Sequence, residues 1–300
     1  MSFKRIYLEI TNICNLNCSF CSPLKREKRS MTLSEIENIL NSPYLKGAHV
    51  YPHIKGEPLL HPDFKEIAEL FKKYEYPLNI TTNGVFIKKH EETLINNARQ
   101  VNISVHALLD SQIKNEEEYL EDIISFGKKA SEKGYPNVSY RLWLEENSEE
   151  FSKESYNIIS KLAQAFNVEI PRKISKGRNA LKLSQNVYIS LMNKFEWPDI
   201  TKKEERKFGN CLGGKDMIGI LADGTVVPCC LDADGVINLG NVFNEDLEDI
   251  LNSERFKNLT KGFSGSNISE SLCKKCTFYD SRKEKKVENG KLKVKEQISL

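Results

Sequence analysis

Three cysteines near the N-terminus offer the clearest chemistry in this 300-residue chain. Cys14, Cys18 and Cys21 form a C-x3-C-x2-C run and supply three thiolates from one short loop. An ordinary [4Fe–4S] cluster takes four thiolates, so a loop with three leaves one iron with an open coordination position. An open position lets a metal bind and activate another molecule. The alternative is a zinc site that recruits His49 or His53 as its fourth ligand.

The other five cysteines fall in the last third of the chain. Cys211, Cys229 and the chelating C-x2-C pair of Cys273 and Cys276 could together close a tetrahedral site. Four thiolates suit either zinc or a [4Fe–4S] cluster, and the residues alone leave both open. The fifth of these cysteines, Cys230, follows Cys229 directly and is not part of this set of four. The N-terminal residues MSFKRIYLEI contain no apolar signal segment, so eight cysteines predict metal or redox chemistry rather than disulfides.

The elements that must position these residues alternate between strand and helix patterns, which predicts a parallel sheet. Thr32 and Glu35 form a capping box at the start of one helix, and further helices are predicted over 116–133 and 152–166. Six βα units, the last incomplete, fit a partial (β/α)6 barrel. The six predicted strands are Arg5–Thr11, His49–Ile54, Leu78–Thr82, Gln100–His106, Asn137–Leu144 and Val168–Lys173.

Polar and apolar residues alternate along the first five of these strands. In the first, Ile6 and Leu8 alternate with Tyr7 and Glu9. A parallel strand that is buried on both faces should be apolar throughout, so the polar faces predict a wet lumen that holds ligands. Histidine titrates near neutral pH and arginine binds carboxylates in a fork. The strongest candidates for ligand contacts on the polar face are therefore His53, His106 and Arg141.

The N-terminal run resembles the signature of the radical S-adenosylmethionine (radical SAM) superfamily, C-x3-C-x-φ-C, with Phe20 as the aromatic φ residue. A TTNG run at 81–84 adds to the resemblance. It implies that Cys14, Cys18 and Cys21 bind a [4Fe–4S] cluster whose open iron chelates SAM. One electron then cleaves SAM to methionine and a 5′-deoxyadenosyl radical, which abstracts hydrogen from the substrate. A flavodoxin- or ferredoxin-type protein is the implied electron donor.

The resemblance also implies contacts to SAM. The family usually has Gly-Gly-Glu after the second strand, where this chain has Lys55-Gly56-Glu57. Gly56 and Glu57 carry over as contacts of the SAM amino group, and Lys55 does not. Ser104 and Arg141 are weaker candidates for contacts near the SAM ribose or carboxylate.

The C-terminal cysteines resemble the SPASM/twitch extension of radical SAM enzymes. Cys211, Gly224 and Cys229 follow its C-x12-G-x4-C pattern, and a C-x2-C pair comes later. The chain has too few cysteines for a full SPASM domain, so the shorter twitch form is predicted. One auxiliary [4Fe–4S] cluster is expected, with zinc as the alternative. Its implied ligands are Cys211, Cys229, Cys273 and Cys276.

Cys230 has two interpretations. It is either a small apolar residue beside a ligand or, as in radical SAM peptide epimerases, a catalytic cysteine that returns a hydrogen atom to the substrate radical. The main prediction is oxidation or cross-linking of a polar substrate with the auxiliary cluster as electron acceptor. The alternative is redox-neutral epimerisation of a peptide by way of Cys230. A non-catalytic iron–sulfur electron carrier or sensor is a remote third.

The predicted fold class is α/β, a partial (β/α)6 radical SAM barrel with a small C-terminal α+β twitch/SPASM domain. The predicted boundaries are 1–175 for the barrel, 176–207 for a linker, 208–280 for the auxiliary domain and 281–300 for a charged tail. The formal net charge of +2 gives no reason to expect nucleic-acid or membrane partners. A cytoplasmic enzyme acting on a peptide or a small molecule is expected. The first strand begins by residue 5, which mildly favours a small molecule or a peptide held directly in the barrel.

Overall fold

One open sheet organises the computed structural model, which describes residues 2–110, 112–144, 151–171, 180–193, 196–203, 206–263, 267–276 and 278. Nine strands form this sheet within the described residues. They are β1 (Arg5–Leu8), β2 (His49–Tyr51), β3 (Leu78–Thr82), β4 (Ala98–Ser104), β5 (Asn137–Leu144), β6 (Ala180–Lys182), β7 (Val187–Asn193), β8 (Met217–Ile220) and β9 (Val226–Val227). The helices are α1 (Leu33–Leu40), α2 (Phe64–Lys73), α3 (Glu91–Asn97), α4 (Glu116–Lys133), α5 (Lys153–Ala165), α6 (Leu247–Asn252), α7 (Glu254–Gly262) and α8 (Ser271–Lys274).

The strand order is β6-β7-β5-β4-β3-β2-β1-β8-β9, and β1 to β5 lie side by side in chain order. Neighbours among these five strands are parallel, as is β7 beside β5. This confirms the predicted partial barrel of six parallel strands, and the sheet does not close. Two strands have the predicted bounds, β3 and β5. The capping box is also confirmed, because the Glu35 amide donates to Thr32 Oγ1 and the Thr32 amide donates to Glu35 Oε2.

The sixth strand lies further along the chain than the sequence predicted. Residues 168–171 of the predicted strand Val168–Lys173 are not in a strand, and 172–173 lie outside the described residues. Strand β7 takes the sixth place, with Val138 opposite Val187. The linker prediction for 176–207 is therefore wrong over 180–193, where β6 and β7 extend the barrel sheet. The remaining domain boundaries stay predictions, and the predicted tail 281–300 lies outside the described residues.

The C-terminal unit continues the same sheet at its other edge. Strand β8 pairs in parallel with β1, with Tyr7 opposite Gly219, and β9 returns antiparallel to β8. Gly224 lies in the turn between them: its φ is +85°, and a Cβ there would lie 2.5 Å from the Phe243 ring. Helices α6 and α7 follow directly on one another, because Ser253 ends α6 and caps α7.

The two faces of the sheet have different environments. Ile6, Leu8 and Ile10 belong to the main apolar core on the helix side. Tyr7 and Tyr51 belong to a separate group on the other face, the lumen cluster. Its buried members are Tyr7, Tyr51, Ile54, Met217, Leu221, Val227 and Ala233.

The polar residues of the lumen differ between its deep layer and the carboxyl ends of its strands. Asn79, Asn102 and Ser139 are buried deep in the sheet and are satisfied by protein partners; for example, Asn102 Nδ2 donates to the Ile80 carbonyl at 3.0 Å. Two residues later along their strands, Thr81, Ser104 and Arg141 are half-buried. The prediction of a ligand-filled lumen is therefore wrong for the deep layer, where polar side chains pair with backbone carbonyls and with other side chains. It remains open for the carboxyl ends of the strands, where ligands of open parallel sheets bind. Within the described ranges, no helix is long and apolar enough to cross a membrane.

Candidate active site

The three N-terminal cysteines lie on the loop that connects β1 to α1. Cys14 and Cys21 are exposed and Cys18 is half-buried. The Asp110 carboxylate anchors the middle of this loop, because Oδ2 accepts from the Ser19 amide at 2.7 Å and Oδ1 from the Ser19 hydroxyl at 2.6 Å. Burial raises the pKa of the Cys18 thiol to about 11, and the nearby Asp110 charge adds to that rise.

Gly56 allows the chain after β2 to pack against the start of the cysteine loop. Its φ is +79°, and a Cβ at this position would lie 2.4 Å from the Thr11 carbonyl oxygen and 2.9 Å from Asn12 Cα. No side chain fits such a contact. The next amide, that of Glu57, donates to the Ile13 carbonyl at 2.9 Å. The predicted SAM residue Gly56 therefore has a definite structural role, which fixes the Gly-Glu segment to the residues just before Cys14.

The predicted SAM residue Glu57 is 2% exposed and joins three segments. Its Oε1 accepts from Thr82 Oγ1 at 2.7 Å and from the Leu59 amide at 3.0 Å. Its Oε2 accepts from the Asn83 amide at 2.7 Å. Burial raises the pKa of this carboxyl to about 7, although these three donors oppose the rise. A carboxylate has about four acceptor positions, so one remains for a further donor.

The TTNG run connects Glu57 to the first cysteine. Asn83 Nδ2 lies 3.8 Å from Cys14 Sγ and donates to Asn15 Oδ1 at 2.9 Å. Gly84 has a φ of +84°, which turns the chain sharply after β3. In sequence, this run is recognisable only as a marker of the family. The structure assigns Asn83 a direct contact with the cysteine loop.

Lys55 was excluded as a SAM contact in the sequence analysis, yet its side chain reaches the cysteine loop. It is 5% exposed, and Nζ donates to the carbonyl and hydroxyl of Ser22. The same nitrogen lies 3.8 Å from Cys21 Sγ and 5.0 Å from the centre of the Trp197 ring. Trp197 in turn donates from Nε1 to the Phe20 carbonyl at 3.3 Å. The only sequence signal for this contact was the departure of Lys55 from the usual motif.

An aromatic group lies beside the loop. The Phe20 ring meets His106 and Trp143 edge-on, with centroids 5.0 and 4.6 Å away, and His106 stacks on Trp143 at 4.1 Å. His106 Nδ1 donates to the Arg141 carbonyl at 3.1 Å, and burial lowers the pKa of His106 to about 4. The candidate His106 is therefore a neutral residue of the aromatic wall. Ser104, opposite Arg141 in the sheet, is half-buried nearby.

Arg141 and His53 line the lumen below this wall. The Arg141 guanidinium donates to Thr81 Oγ1 at a long 3.5 Å, and no carboxylate of the described residues pairs with it. Burial lowers the pKa of Arg141 to about 10. His53 Nδ1 is buried without a hydrogen-bond partner in the described part of the chain. Burial and the Arg141 charge lower the pKa of His53 to about 3. Arg141 is thus a half-buried cation with few partners among the described residues, and its guanidinium is suited to an anionic group such as a carboxylate.

The C-terminal cysteines are brought together as a second group. Gly213 lies close to both Cys211 and Cys229: a Cβ at position 213 would be 3.6 Å from Cys211 Sγ and 3.6 Å from Cys229 Cβ. Burial raises the pKa of Cys273, and the neighbouring Cys211 and Cys276 add to the rise. Burial also raises the pKa of Cys229, with Cys211 and Cys273 among the contributing charges. These interactions link Cys211, Cys229 and Cys273 to one another, and Cys276 to Cys273, so the four predicted auxiliary ligands lie in one region of the fold.

Cys230 has a hydrogen-bond partner outside this group. Its side chain hydrogen-bonds with Tyr7, and burial raises the pKa of Cys230 to about 11. Tyr7 belongs to the lumen cluster and stacks on Tyr51 with centroids 4.9 Å apart. Cys230 therefore contacts the lumen cluster, where a thiol that returns a hydrogen atom to a substrate radical would have to lie.

Both cysteine groups fit iron–sulfur clusters by their donor chemistry. Soft thiolates are the protein ligands of such clusters. The described residues contain no set of three His, Cys, Asp or Glu side chains that converges on a single metal ion. The fit therefore rests on the number and type of donors: three thiols in an exposed loop, and four at the C-terminal site.

Comparison with known proteins supports this interpretation. A family model described as the radical SAM superfamily matches residues 8–153, and one described as an iron–sulfur cluster-binding domain, SPASM, matches residues 211–277. The sporulation killing factor maturation protein SkfB of Bacillus subtilis is 26% identical over 269 residues, which cover 81% of this chain and 63% of SkfB. A GTP 3′,8-cyclase of Aquifex aeolicus is matched over only 36% of its length. The chain therefore spans less than two thirds of these curated relatives.

Two solved structures have the same fold. SuiB of Streptococcus suis, bound to its precursor peptide SuiA, superposes with a TM-score of 0.60 at 16% identity, over 95% of this chain and 74% of SuiB. BtrN in complex with AdoMet and 2-DOIA superposes with a TM-score of 0.58 at 17% identity, over 92% of this chain and 94% of BtrN. At such identities the likeness concerns the fold alone.

Proposed function

Because the chain belongs to the radical SAM superfamily and carries a SPASM iron–sulfur domain, we propose that it abstracts a hydrogen atom from a polar substrate held between its two cysteine groups. The chain is an enzyme whose cofactors are SAM and [4Fe–4S] clusters. The observation that carries the proposal is the convergence on one lumen of His53, Arg141, Tyr7 and Cys230.

In this proposal Cys14, Cys18 and Cys21 hold the catalytic cluster, and Gly56 and Glu57 present the SAM amino group. When bound, the cluster and SAM supply a 5′-deoxyadenosyl radical that removes hydrogen from the substrate. The fourth acceptor position of Glu57 suits the positively charged amino group of SAM. A flavodoxin- or ferredoxin-type protein supplies the electron.

The half-buried end of the lumen would orient the ligands. Arg141 has unused donors for a carboxylate of SAM or of an amino-acid-like substrate, and His53 offers a polar ring atom beside it. Ser104 lies opposite Arg141 and is placed to contact a ribose or substrate hydroxyl. Phe20, packed edge-on against His106 and Trp143, excludes water from one side of the site.

A peptide is the favoured substrate class. SkfB is a maturation protein, and SuiB was solved with a precursor peptide. A small molecule is the second candidate, because BtrN was solved with 2-DOIA and covers nearly the same length of chain. A polar lumen with a cation, Arg141, that has no partner carboxylate among the described residues suits either class.

Two net reactions are possible, and they differ in how the substrate radical is consumed. In oxidation or cross-linking, the substrate radical would lose one electron and one proton, and a cluster held by Cys211, Cys229, Cys273 and Cys276 would supply the electron acceptor. The second candidate is epimerisation, in which the Cys230 thiol returns a hydrogen atom and the external donor restores the thiyl radical with one electron and a solvent proton. The Cys230–Tyr7 contact favours this second candidate.

The test of the general proposal is SAM cleavage by the anaerobically reconstituted protein, measured as 5′-deoxyadenosine formed with dithionite. Formation in the wild type and none in Cys18→Ala supports the proposal, whereas equal formation in both contradicts it. Turnover of an accepted substrate in D2O separates the net reactions. Because an S–H proton exchanges with solvent, epimerisation leaves one deuterium at the modified carbon, and Cys230→Ala stops product while hydrogen abstraction continues. Product without deuterium, formed equally by Cys230→Ala, leaves oxidation or cross-linking.

A further inference from the structure

Lys55 is a buried cation that the roles assigned so far leave unused. It directly precedes Gly56 and Glu57, and its amide donates to Glu9 Oε1 at 3.0 Å. This bond fixes the backbone, while the side chain extends into the cysteine loop and is 5% exposed. A lysine that is withdrawn from water to this degree needs polar partners.

Its partners belong to the last turn of the cysteine loop. The Lys55 ammonium donates to the carbonyl and hydroxyl of Ser22 and lies 3.8 Å from Cys21 Sγ. The Trp197 ring covers it at 5.0 Å, and Trp197 is itself bonded to the Phe20 carbonyl. No carboxylate of the described residues lies within ion-pair distance of this ammonium, so its charge is not cancelled by a direct partner.

A positive charge beside a ligand sulfur changes the redox chemistry of an iron–sulfur cluster. Reduction by one electron makes the cluster one unit more negative, and a nearby cation stabilises the more negative state. Hydrogen bonds to the cluster sulfurs have the same direction of effect. Burial strengthens this interaction, because little water lies between the two groups to screen it.

We propose that Lys55 is a positioning residue that holds the Cys21–Ser22 turn and raises the reduction potential of the cluster at Cys14, Cys18 and Cys21. This inference rests on the proposed function, since it requires that cluster. It makes electron entry from the reductant easier than in a chain with an uncharged residue at position 55.

The experiment is a redox titration of anaerobically reconstituted protein, followed by EPR, with iron and sulfide measured on the same samples. The signal of the N-terminal cluster is identified as the one that changes when SAM is added. Lys55→Met removes the charge at similar length, Lys55→Gln removes it but keeps a donor for Ser22, and Lys55→Arg keeps it. Lys25→Met is the matched control, because it removes a lysine of the same loop that is 74% exposed and paired with Asp234 at 3.1 Å.

We expect the midpoint potential of this cluster to become more negative in Lys55→Met and Lys55→Gln, and to stay near the wild-type value in Lys55→Arg and Lys25→Met. A purely structural Lys55 would lower the iron content without moving the potential of the clusters that form. Unchanged potentials in both uncharged variants, or an equal shift in Lys25→Met, would overturn the inference. If Lys55→Met binds no cluster, the midpoint potential of Lys55→Gln decides between these outcomes. Wild-type protein that binds no iron contradicts the proposed function itself.

Discussion

The two cysteine groups differ in exposure and in what holds them. Cys14 and Cys21 of the N-terminal loop are exposed, whereas Cys211, Cys229, Cys273 and the other C-terminal cysteines are all half-buried. Side chains from neighbouring strand ends, such as Asp110 and Asn83, hold the first loop. The second group is held by its own short turns and by the packing around Gly213.

The two cysteine groups are therefore suited to different functions. An exposed group of three thiols, surrounded by polar side chains, leaves space for SAM and a substrate. A more buried group of four suits electron storage or transfer, since it offers a complete ligand set. The lumen cluster reaches the C-terminal group, because Tyr7 contacts Cys230. The comparison therefore predicts that damage to the two groups has different consequences.

The largest expected effect comes from removing one cysteine of each group. Cys18→Ala should reduce 5′-deoxyadenosine formation to background, because two thiolates no longer hold the catalytic cluster. Cys273→Ala should lose about half of the bound iron but retain SAM cleavage, because the N-terminal site is built from other residues. Iron content and 5′-deoxyadenosine are measured on the same preparations.

The opposite result, with SAM cleavage lost in Cys273→Ala and kept in Cys18→Ala, would assign the catalytic role to the C-terminal group. Circular dichroism of both variants serves as the control for folding.

A smaller effect is expected at the backbone contact below the first loop. Gly56→Ala places a Cβ 2.4 Å from the Thr11 carbonyl at a φ of +79°. The positive φ and the overpacking together should cost about 3 kcal/mol in the free energy of unfolding, measured by urea denaturation of the apoprotein. Gly134→Ala is the matched control, because Gly134 also has a positive φ, +71°, but nothing lies within 4 Å of its Cβ position. It should cost about 1 kcal/mol. Equal losses would mean that the contact with Thr11 relaxes freely.

The smallest effect concerns the lumen between the two groups. Burial, with Arg141 nearby, lowers the pKa of His53 to about 3, whereas an unfolded chain protonates this histidine below about 6.5. The folded state therefore loses stability as pH falls through this window. Between pH 7 and 5, His53 should contribute a loss of about 2 kcal/mol. His53→Leu should remove that part of the pH dependence in urea denaturation of the apoprotein. An unchanged slope would show that His53 has the same pKa in the folded and unfolded states, which would contradict the burial argument.

The sequence predicted the parallel order of the first five strands because their patterns are local. Leu78–Thr82 and Asn137–Leu144 were predicted at their observed bounds. Strand β7 was missed although Val187, Ile189 and Leu191 alternate as buried residues. The pairing of β8 with β1 joins residues more than two hundred positions apart, and no local pattern reveals such a pair.

For the candidate site, cysteine spacing predicted both groups, because chelation imposes spacing on the chain. It gave no information about the residues that support them. Lys55 was set aside because it departs from a motif, and its contact with Cys21 depends on how far a lysine side chain extends in three dimensions. Asp110 and Tyr7 likewise act through contacts between strand ends that are distant in sequence.

The most direct test of the account is the iron and sulfide content per chain after anaerobic reconstitution, with zinc measured alongside. Two [4Fe–4S] clusters predict about eight irons with matching sulfide, and essentially no zinc. About four irons with one zinc would keep the N-terminal chemistry and make the C-terminal group a structural site. Zinc without iron would contradict the central claim that the exposed loop of three cysteines is a radical SAM site.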